Sequence, residues 1–199
     1  EFLGYQDKDQ LISRFRVNTA HPKYREALSG HVGAQTAPLA PASHMLDNVV
    51  EALRTLPEGK GKIPQVRNVT SDAPLGLDSR DVYILLHAKN EAKTIWDVKY
   101  ISEDSQKGPR SRLEHCVAQI KMFDPDDAEL SAEFARSGRL INYRHCQDLF
   151  NDPNVDDVLQ GRNIYRYFAE VVEYSEKFRG VTKLVGKGNE SAGRVVKKY

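Results

Sequence analysis

Two runs, "DVYILLHA" (Asp81–Ala88) and "TIWDVKYI" (Thr94–Ile101), decide the fold that the sequence predicts. Both are rich in Val, Ile, Tyr and Trp, which favour strands, and the first run is almost continuously apolar. The polar link "KNEAK" between them has the length of a hairpin connection. We therefore expect two adjacent antiparallel strands.

The segments around this pair predict the other elements. Residues 44–56 place their apolar side chains along one stripe of a helix that Ser43 can cap, and residues 111–123 show a similar stripe. Further predictions are helices over 6–17, 130–138 and 161–178, strands over 65–70 and 139–146, and a Gly- and Pro-rich linker over 29–43. This order predicts an α/β (α+β) fold, in which a central mixed sheet with an antiparallel hairpin is flanked by helices.

Length and composition set the broad class. A chain of 199 residues suits a single domain: a core over about 44–146, an N-terminal helix and linker over 1–43, and a C-terminal helix and basic tail over 147–199. Its 40% hydrophobic and 29% charged residues are typical of a globular protein. No apolar run approaches the length of a membrane helix, so no membrane partner is expected. Two cysteines make no disulfide framework, which predicts a reducing, cytoplasmic compartment.

The second strand carries two charges on one face. Side chains alternate along a strand, so Asp97 and Lys99 point the same way, opposite the aromatic face. Charged residues are seldom buried unless they are paired or take part in chemistry. The hairpin should also bring Asp78 or Asp81 close to them. Two carboxylates can bind Mg²⁺ or Mn²⁺, and a lysine can orient or deprotonate the attacking water.

The pattern D-x(n)-D-x-K, formed by Asp78 or Asp81 and then by Asp97 and Lys99, resembles the PD-(D/E)XK nuclease superfamily. The resemblance implies a restriction-endonuclease-like core and a divalent-metal-dependent endonuclease that hydrolyses phosphodiester bonds of DNA or RNA. It implies Asp97, Lys99 and Asp78 as catalytic residues. It implies metal binding by Asp78, Asp81 and Asp97, with Glu51 on the first helix as a further ligand.

Other residues are candidates for contacts to nucleic acid. Arg112, His115 and Gln119 form one stripe of the predicted helix over 111–123 and could face phosphates. The segment 177–199 holds seven Lys or Arg and one Glu, and its Lys183 and Lys187 are candidate phosphate contacts. A solvated, frayed terminus is the alternative for this segment.

The resemblance extends to viral cap-snatching endonucleases, which add an upstream metal-binding histidine. His31 or His44 could take that part.

Two other functions stay open at this point. The charged strand face can be an ordinary surface ion pair worth about 0–1 kcal/mol. The chain would then be a non-catalytic module for nucleic-acid binding, protein binding or assembly. A toxin domain of another chemistry is a third possibility. Nucleic acid is the expected partner, and a homodimer is compatible with the sequence.

Overall fold

The structure is a computed structural model that describes residues 1–33, 37–104, 111–140 and 142–197. Its contacts divide the chain into two compact units. The first unit comprises Glu1–Leu28 and Leu39–Asp127, and the second comprises Ser29–Pro38 and Ala128–Tyr199. One domain over all 199 residues stays a prediction.

The elements alternate between strands and short helices. The strands are β1 (Phe2–Tyr5), β2 (Ile12–Arg16), β3 (His31–Gly33), β4 (Ala37–Pro38), β5 (Ile63–Thr70), β6 (Asp81–Ala88), β7 (Ile95–Glu103), β8 (Arg112–Phe123), β9 (Asp157–Gln160), β10 (Val172–Tyr174), β11 (Val181–Lys187) and β12 (Glu190–Val195). The helices are α1 (Pro22–Ser29), α2 (Ala42–Thr55), α3 (Ala128–Leu140), α4 (Tyr143–Asn151) and α5 (Arg162–Phe168), with 3₁₀ turns at Pro57–Gly59 and Glu176–Phe178.

The first unit is an antiparallel sheet packed against one long helix. Its six strands run in the order β1-β2-β6-β7-β8-β5. Helix α2 buries Met45, Val49 and Leu53 at helical spacing, and it contacts β6 and β7. The core-facing residues of the central strands alternate along each strand: Val82, Ile84, Leu86, Ala88, Trp96, Val98, Tyr100, Cys116, Ala118, Ile120 and Met122.

The central predictions of the fold are confirmed. Strands β6 and β7 are adjacent and antiparallel, with Ala88 opposite Trp96. Helix α2, strand β5 and helix α3 also occur where the sequence predicts them. The fold is therefore α+β, although the pairing of the large sheet is entirely antiparallel among the described strands rather than mixed.

The helix predicted over 111–123 is wrong, because this segment is the long strand β8. The helical prediction placed Leu113 and Val117 in the core, but Leu113 is 50% exposed. Cys116, Ala118 and Ile120 are buried instead, with a period of two. An apolar residue at every second position can also satisfy the i, i+4 spacing of a helix, which is why the pattern was misread.

Three further element predictions are wrong. Residues 6–17 form no helix but contain β2, which pairs with β6. Residues 139–146, predicted as a strand, cover the end of α3 and the start of α4. The long helix predicted over 161–178 ends at Phe168, and β10 follows.

The second unit contains two small sheets, in the orders β10-β3-β4 and β12-β11-β9. Leu149, Val185 and Ala192 form one of its cores. The basic segment over 177–199 is neither a free tail nor a frayed end in its described part. Its strands β11 and β12 pair as a hairpin, with Lys187 opposite Glu190.

Within the described ranges, no helix is long and apolar enough to cross a membrane. Cys116 is buried, Cys146 is exposed, and neither forms a disulfide. The reducing compartment stays a prediction.

A buried tyrosine hydroxyl in the first unit allows a stability test. Tyr24 is only 4% exposed, burial raises its pKa to about 12, and its hydroxyl has no hydrogen-bond partner among the described residues. We expect Tyr24→Phe to leave the free energy of unfolding unchanged or to raise it by up to about 1 kcal/mol, because a desolvated, unpaired hydroxyl is removed. Urea unfolding measures this change.

The matched control is Tyr100→Phe. The Tyr100 hydroxyl accepts a hydrogen bond from Asn48 Nδ2 at 3.4 Å, so its loss should lower the free energy of unfolding by about 1 kcal/mol. A loss of that size in Tyr24→Phe would show that its hydroxyl has a partner after all.

Candidate functional site

The carboxylates of the predicted metal site lie at opposite ends of the hairpin. Asp81 is opposite Glu103, whereas Asp97 is opposite His87. Asp97 and Glu103 are six positions apart on β7, which corresponds to about 20 Å. The register therefore keeps Asp81 away from Asp97.

Asp97 has two polar neighbours. Lys89 Nζ lies 3.1 Å from one of its carboxylate oxygens, and Gln119 Nε2 donates to the other at 3.1 Å. Burial raises the pKa of Asp97, but the hydrogen bonds from Gln119 and Lys89 outweigh it and hold the pKa below its ordinary value. Asp97 is thus a surface carboxylate stabilised in its charged form.

Lys99 pairs with the next strand rather than with Asp97. Its ammonium lies 2.7 Å from Glu114 Oε1, and both side chains are about two-fifths exposed. An exposed pair of this kind contributes about 0–1 kcal/mol. Glu51, on α2, is also exposed and pairs with Arg54 at 3.1 Å. The interpretation as ordinary surface ion pairs accounts for these residues.

Asp78 and Asp81 do come together, at an open cleft of about 750 Å³ in the first unit. Arg16 pairs with Asp81 at 3.2 Å. The cleft is polar and carries charges of both signs. Its lining comprises Asp78, Ser79, Arg80, Asp81, Ser102, Glu103, Asp104, Ser111, Arg112 and Leu113.

The predicted nucleic-acid contacts do not share one surface stripe. Arg112 lines the cleft, and Gln119 binds Asp97. His115 is 1% exposed. In the second unit, Lys183 lies over the ring of Phe150, and Lys187 pairs with Asp152. The stripe depended on a helix that is in fact a strand.

The described residues do not assemble the predicted magnesium or manganese site. In the described part of the chain, no group of three or more His, Cys, Asp or Glu side chains is placed to hold a metal ion. Asp78, Asp81 and Asp97 fail to form one because the strand register separates them.

His115 owes its burial to an irregularity of β8. The pairing with β7 steps from Tyr100↔Cys116 to Ile101↔Glu114, so His115 is the extra residue of a β-bulge. Its Nε2 lies 2.8 Å from Ser102 Oγ and its Nδ1 lies 3.2 Å from the Ala73 carbonyl. Since a carbonyl only accepts, Nδ1 carries the proton and Nε2 accepts from Ser102.

Burial lowers the pKa of His115 below its ordinary value, although hydrogen bonds to the backbone of Ala73 and Pro74 partly oppose the shift. With both ring nitrogens occupied and the ring enclosed, His115 serves the packing at the edge of the cleft.

His31 stands in a different setting, on β3 of the second unit. It is half-buried and lies opposite Tyr174 of β10, and the two ring centroids are 5.6 Å apart with the planes at 69°. Gly30 precedes it, and a Cβ there would meet Phe178 and the Ser175 hydroxyl at 2.5 Å. Glycine is therefore required for β3 to approach this turn.

From the sequence, His31 is predicted only as a possible metal ligand within a linker. The missed signal is the sequence His31-Val32-Gly33, which is a short strand, immediately after Gly30. The many Gly and Pro residues over 29–43 concealed it.

Comparison with curated proteins identifies similar chains. A segment of the non-reducing polyketide synthase pkiA of Emericella nidulans is 51% identical over 183 residues, which are 89% of this chain and 7% of that protein. The non-reducing polyketide synthase pigA of Monascus ruber is 45% identical over 202 residues, covering 100% of this chain and 8% of its own length. The chain thus spans less than a tenth of the relatives it matches. No protein-family model matches it.

Among solved structures, the dehydratase domain from the CurK module of curacin polyketide synthase is similar, with a TM-score of 0.68 and 16% identity. The match covers 99% of this chain and 63% of that domain. Two variants of that dehydratase, one with Asp replaced by Asn and one with His replaced by Phe, are described as inactive.

These similarities correct the family, the function and the partner that the sequence predicted. The fold is that of the dehydratase domains, a hotdog fold, and not restriction-endonuclease-like. The relatives are polyketide synthases, so the endonuclease interpretation, the nucleic-acid partner and the divalent-metal cofactor are wrong.

His115 predicts a pH dependence of stability. Its pKa is lowered on folding, so the unfolded chain binds the proton first, and stability should fall as the pH drops below about 6.5. His115→Asn should flatten that dependence by up to about 1.4 kcal/mol per pH unit. Urea unfolding at a series of pH values measures it.

The control is His87→Asn, since His87 is exposed. An unchanged slope in His115→Asn would contradict the burial of a neutral imidazole at the bulge.

Proposed function

We propose that the chain forms part of a dehydratase-fold domain of a non-reducing polyketide synthase. The proposal rests on one observation: the similarity to such synthases extends over the whole chain at 45% identity. The similarity of fold to dehydratase domains supports it independently. The substrate would be a polyketide intermediate held as a thioester on a carrier protein, and the partners would be that carrier and the other domains of the synthase.

The reaction class follows from what such a thioester offers. Dehydration begins when a base removes a proton from the carbon next to the thioester carbonyl, and it ends with loss of the β-hydroxyl. A synthase that does not reduce its intermediates leaves ketones in place of those hydroxyls. A proton between two carbonyls is acidic, so the same base would generate an enolate.

We infer that this enolate attacks a ketone further along the same chain. A carbon–carbon bond forms, the ketone oxygen takes up a proton, and the resulting β-hydroxyl can leave as water. This aldol cyclisation is the first candidate because the relatives are named non-reducing. Simple dehydration of a β-hydroxyacyl thioester is the second candidate, favoured by the similarity of fold to dehydratase domains.

His31 is the residue to which we assign the base. A general base must be reachable by substrate and held in a fixed position. His31 is half-buried on a paired strand, with Tyr174 against its ring. The loss of activity in a histidine variant of one structural neighbour agrees with a base of this type.

His44 is the alternative base. It is also half-buried, its Nε2 lies 3.3 Å from Asn48 Nδ2, and its ring packs on Tyr24. Of the remaining four, His115 is buried with both ring nitrogens occupied. The other three are exposed: His21, His87 and His145.

A segment exchange tests the function. The equivalent segment of the Emericella nidulans synthase is replaced by this chain, and its products are identified by mass spectrometry. We expect the exchanged synthase to release a cyclised product, and His31→Phe to lower its rate of formation by about 10²- to 10⁴-fold in favour of uncyclised products. His87→Phe is the matched control and should leave the rate unchanged.

If His31→Phe retains the rate and His44→Phe abolishes it, the base has been assigned to the wrong histidine. If neither variant matters, the proposed chemistry is wrong. Supplying a carrier-bound β-hydroxyacyl thioester separates the two candidates, since only a dehydratase would convert it to the unsaturated acyl chain.

A further inference from the structure

We infer that Tyr174 is a positioning residue for His31 and that Tyr165 supports Tyr174. This inference deepens the proposed function and rests on it where catalysis is concerned. The placement of the three rings rests on the structure alone.

Tyr174 contacts His31 directly. Tyr174 and His31 are cross-strand partners on β10 and β3, and their rings meet nearly edge to face at 5.6 Å. Cross-strand pairs of this kind have their Cβ atoms about 5 Å apart, so one ring limits the rotation of the other. The edge-to-face arrangement is also the favoured geometry for aromatic pairs.

Tyr174 is itself held by Arg179 and Tyr165. The Arg179 Nε donates to its carbonyl at 2.8 Å, which fixes the backbone at the end of β10. The ring centroids of Tyr174 and Tyr165 are 6.1 Å apart, with the planes at 76°. Arg179 also lies over the Tyr165 ring, with Cζ 5.7 Å from its centroid.

Tyr165 is held in turn by a hydrogen bond to the backbone. Its hydroxyl accepts a hydrogen bond from the backbone N–H of Val181 at 2.7 Å. That N–H is at the start of β11, so the ring is tied to the hairpin of the second unit. A continuous series of contacts thus runs from the β11 backbone through Tyr165 and Tyr174 to the imidazole of His31.

The two tyrosines should respond differently to loss of the hydroxyl. Tyr174 contacts His31 through its ring, so Tyr174→Phe should preserve the position of the imidazole. Tyr165 uses its hydroxyl to reach Val181, so Tyr165→Phe should loosen the series while leaving a ring in place. If the two tyrosines only filled space, both substitutions would have the same small effect, because each keeps the ring.

The structural test uses the chain with ¹³C-labelled histidine and two-dimensional NMR. In the wild-type chain we expect a nuclear Overhauser effect between the ring protons of His31 and Tyr174, together with a ring-current shift of the His31 signals. Tyr174→Phe should retain that shift, Tyr165→Phe should reduce it, and Tyr174→Ala should abolish it. The control is Tyr167→Ala, since Tyr167 is 73% exposed on the same helix, α5.

The kinetic test uses the segment exchange described above. Tyr174→Ala should lower the rate at which the cyclised product forms by about 10- to 100-fold, because the base is still present but no longer held in the productive orientation. Tyr174→Phe should restore most of the rate.

The two tests separate the possible failures. Absence of the Overhauser effect in the wild-type chain, or unchanged His31 signals in Tyr174→Ala, overturns the positioning role whatever the activity. If Tyr174→Ala does not fold, the wild-type Overhauser effect and the Tyr165→Phe shift still decide the structural claim. Ring contacts that are present in the wild-type chain, together with full activity in both His31→Phe and His44→Phe, would instead contradict the proposed function.

Discussion

The packing of helix α2 against one face of the antiparallel sheet is the constraint on which the first unit depends. The helix brings an apolar stripe that includes Leu53, and strands β6, β7 and β8 meet it with alternate residues such as Leu86 and Trp96. Since one face of each strand is committed to this core, the residues between the core positions lie on the opposite face. Asp97 and Lys99 lie on that outer face, and each finds an opposite charge on a neighbouring part of the sheet.

The one-sided packing of this sheet explains which parts of the fold the sequence could predict. The hairpin of β6 and β7 and the helix α2 follow from local patterns that admit one interpretation, and both are confirmed. Strand β8 was missed because Cys116 and Ile120 are in phase with a helix as well as with a strand. The choice between helix and strand is decided by pairing with β5 and β7, and this pairing cannot be read from the local sequence.

The candidate site was harder to predict for a related reason. D-x-K is a short pattern, and its chemical meaning depends on strand register, which separates Asp81 from Asp97. The setting of His31 depends on Tyr174, which is more than a hundred positions away in the sequence. Neighbouring residues on a strand are visible to sequence analysis, whereas cross-strand partners at this distance are not. Similarity to whole segments of polyketide synthases supplied what the short pattern could not.

The two best-defined histidines show opposite ways of holding an imidazole. His115 is enclosed, and Ser102 and the Ala73 carbonyl occupy its nitrogens, so its ring contributes to packing. His31 is held by a strand and by the ring of Tyr174, which leaves it half-exposed. The base that we propose therefore stands on a support that does not enclose its ring.

The bulge at His115 shifts the alternation of inward- and outward-facing residues along β8 by one position. Beyond it Cys116 faces the core, and before it Glu114 faces outward to Lys99. Loss of the bulge residue itself would leave a regular ladder with Glu114 still facing outward, but it would remove the buried imidazole. Loss of a residue elsewhere in β8 would turn every side chain on one side of the gap to the opposite face. Changes of length within this strand should therefore be rare among homologous chains, while the type of residue at its exposed positions is free to vary.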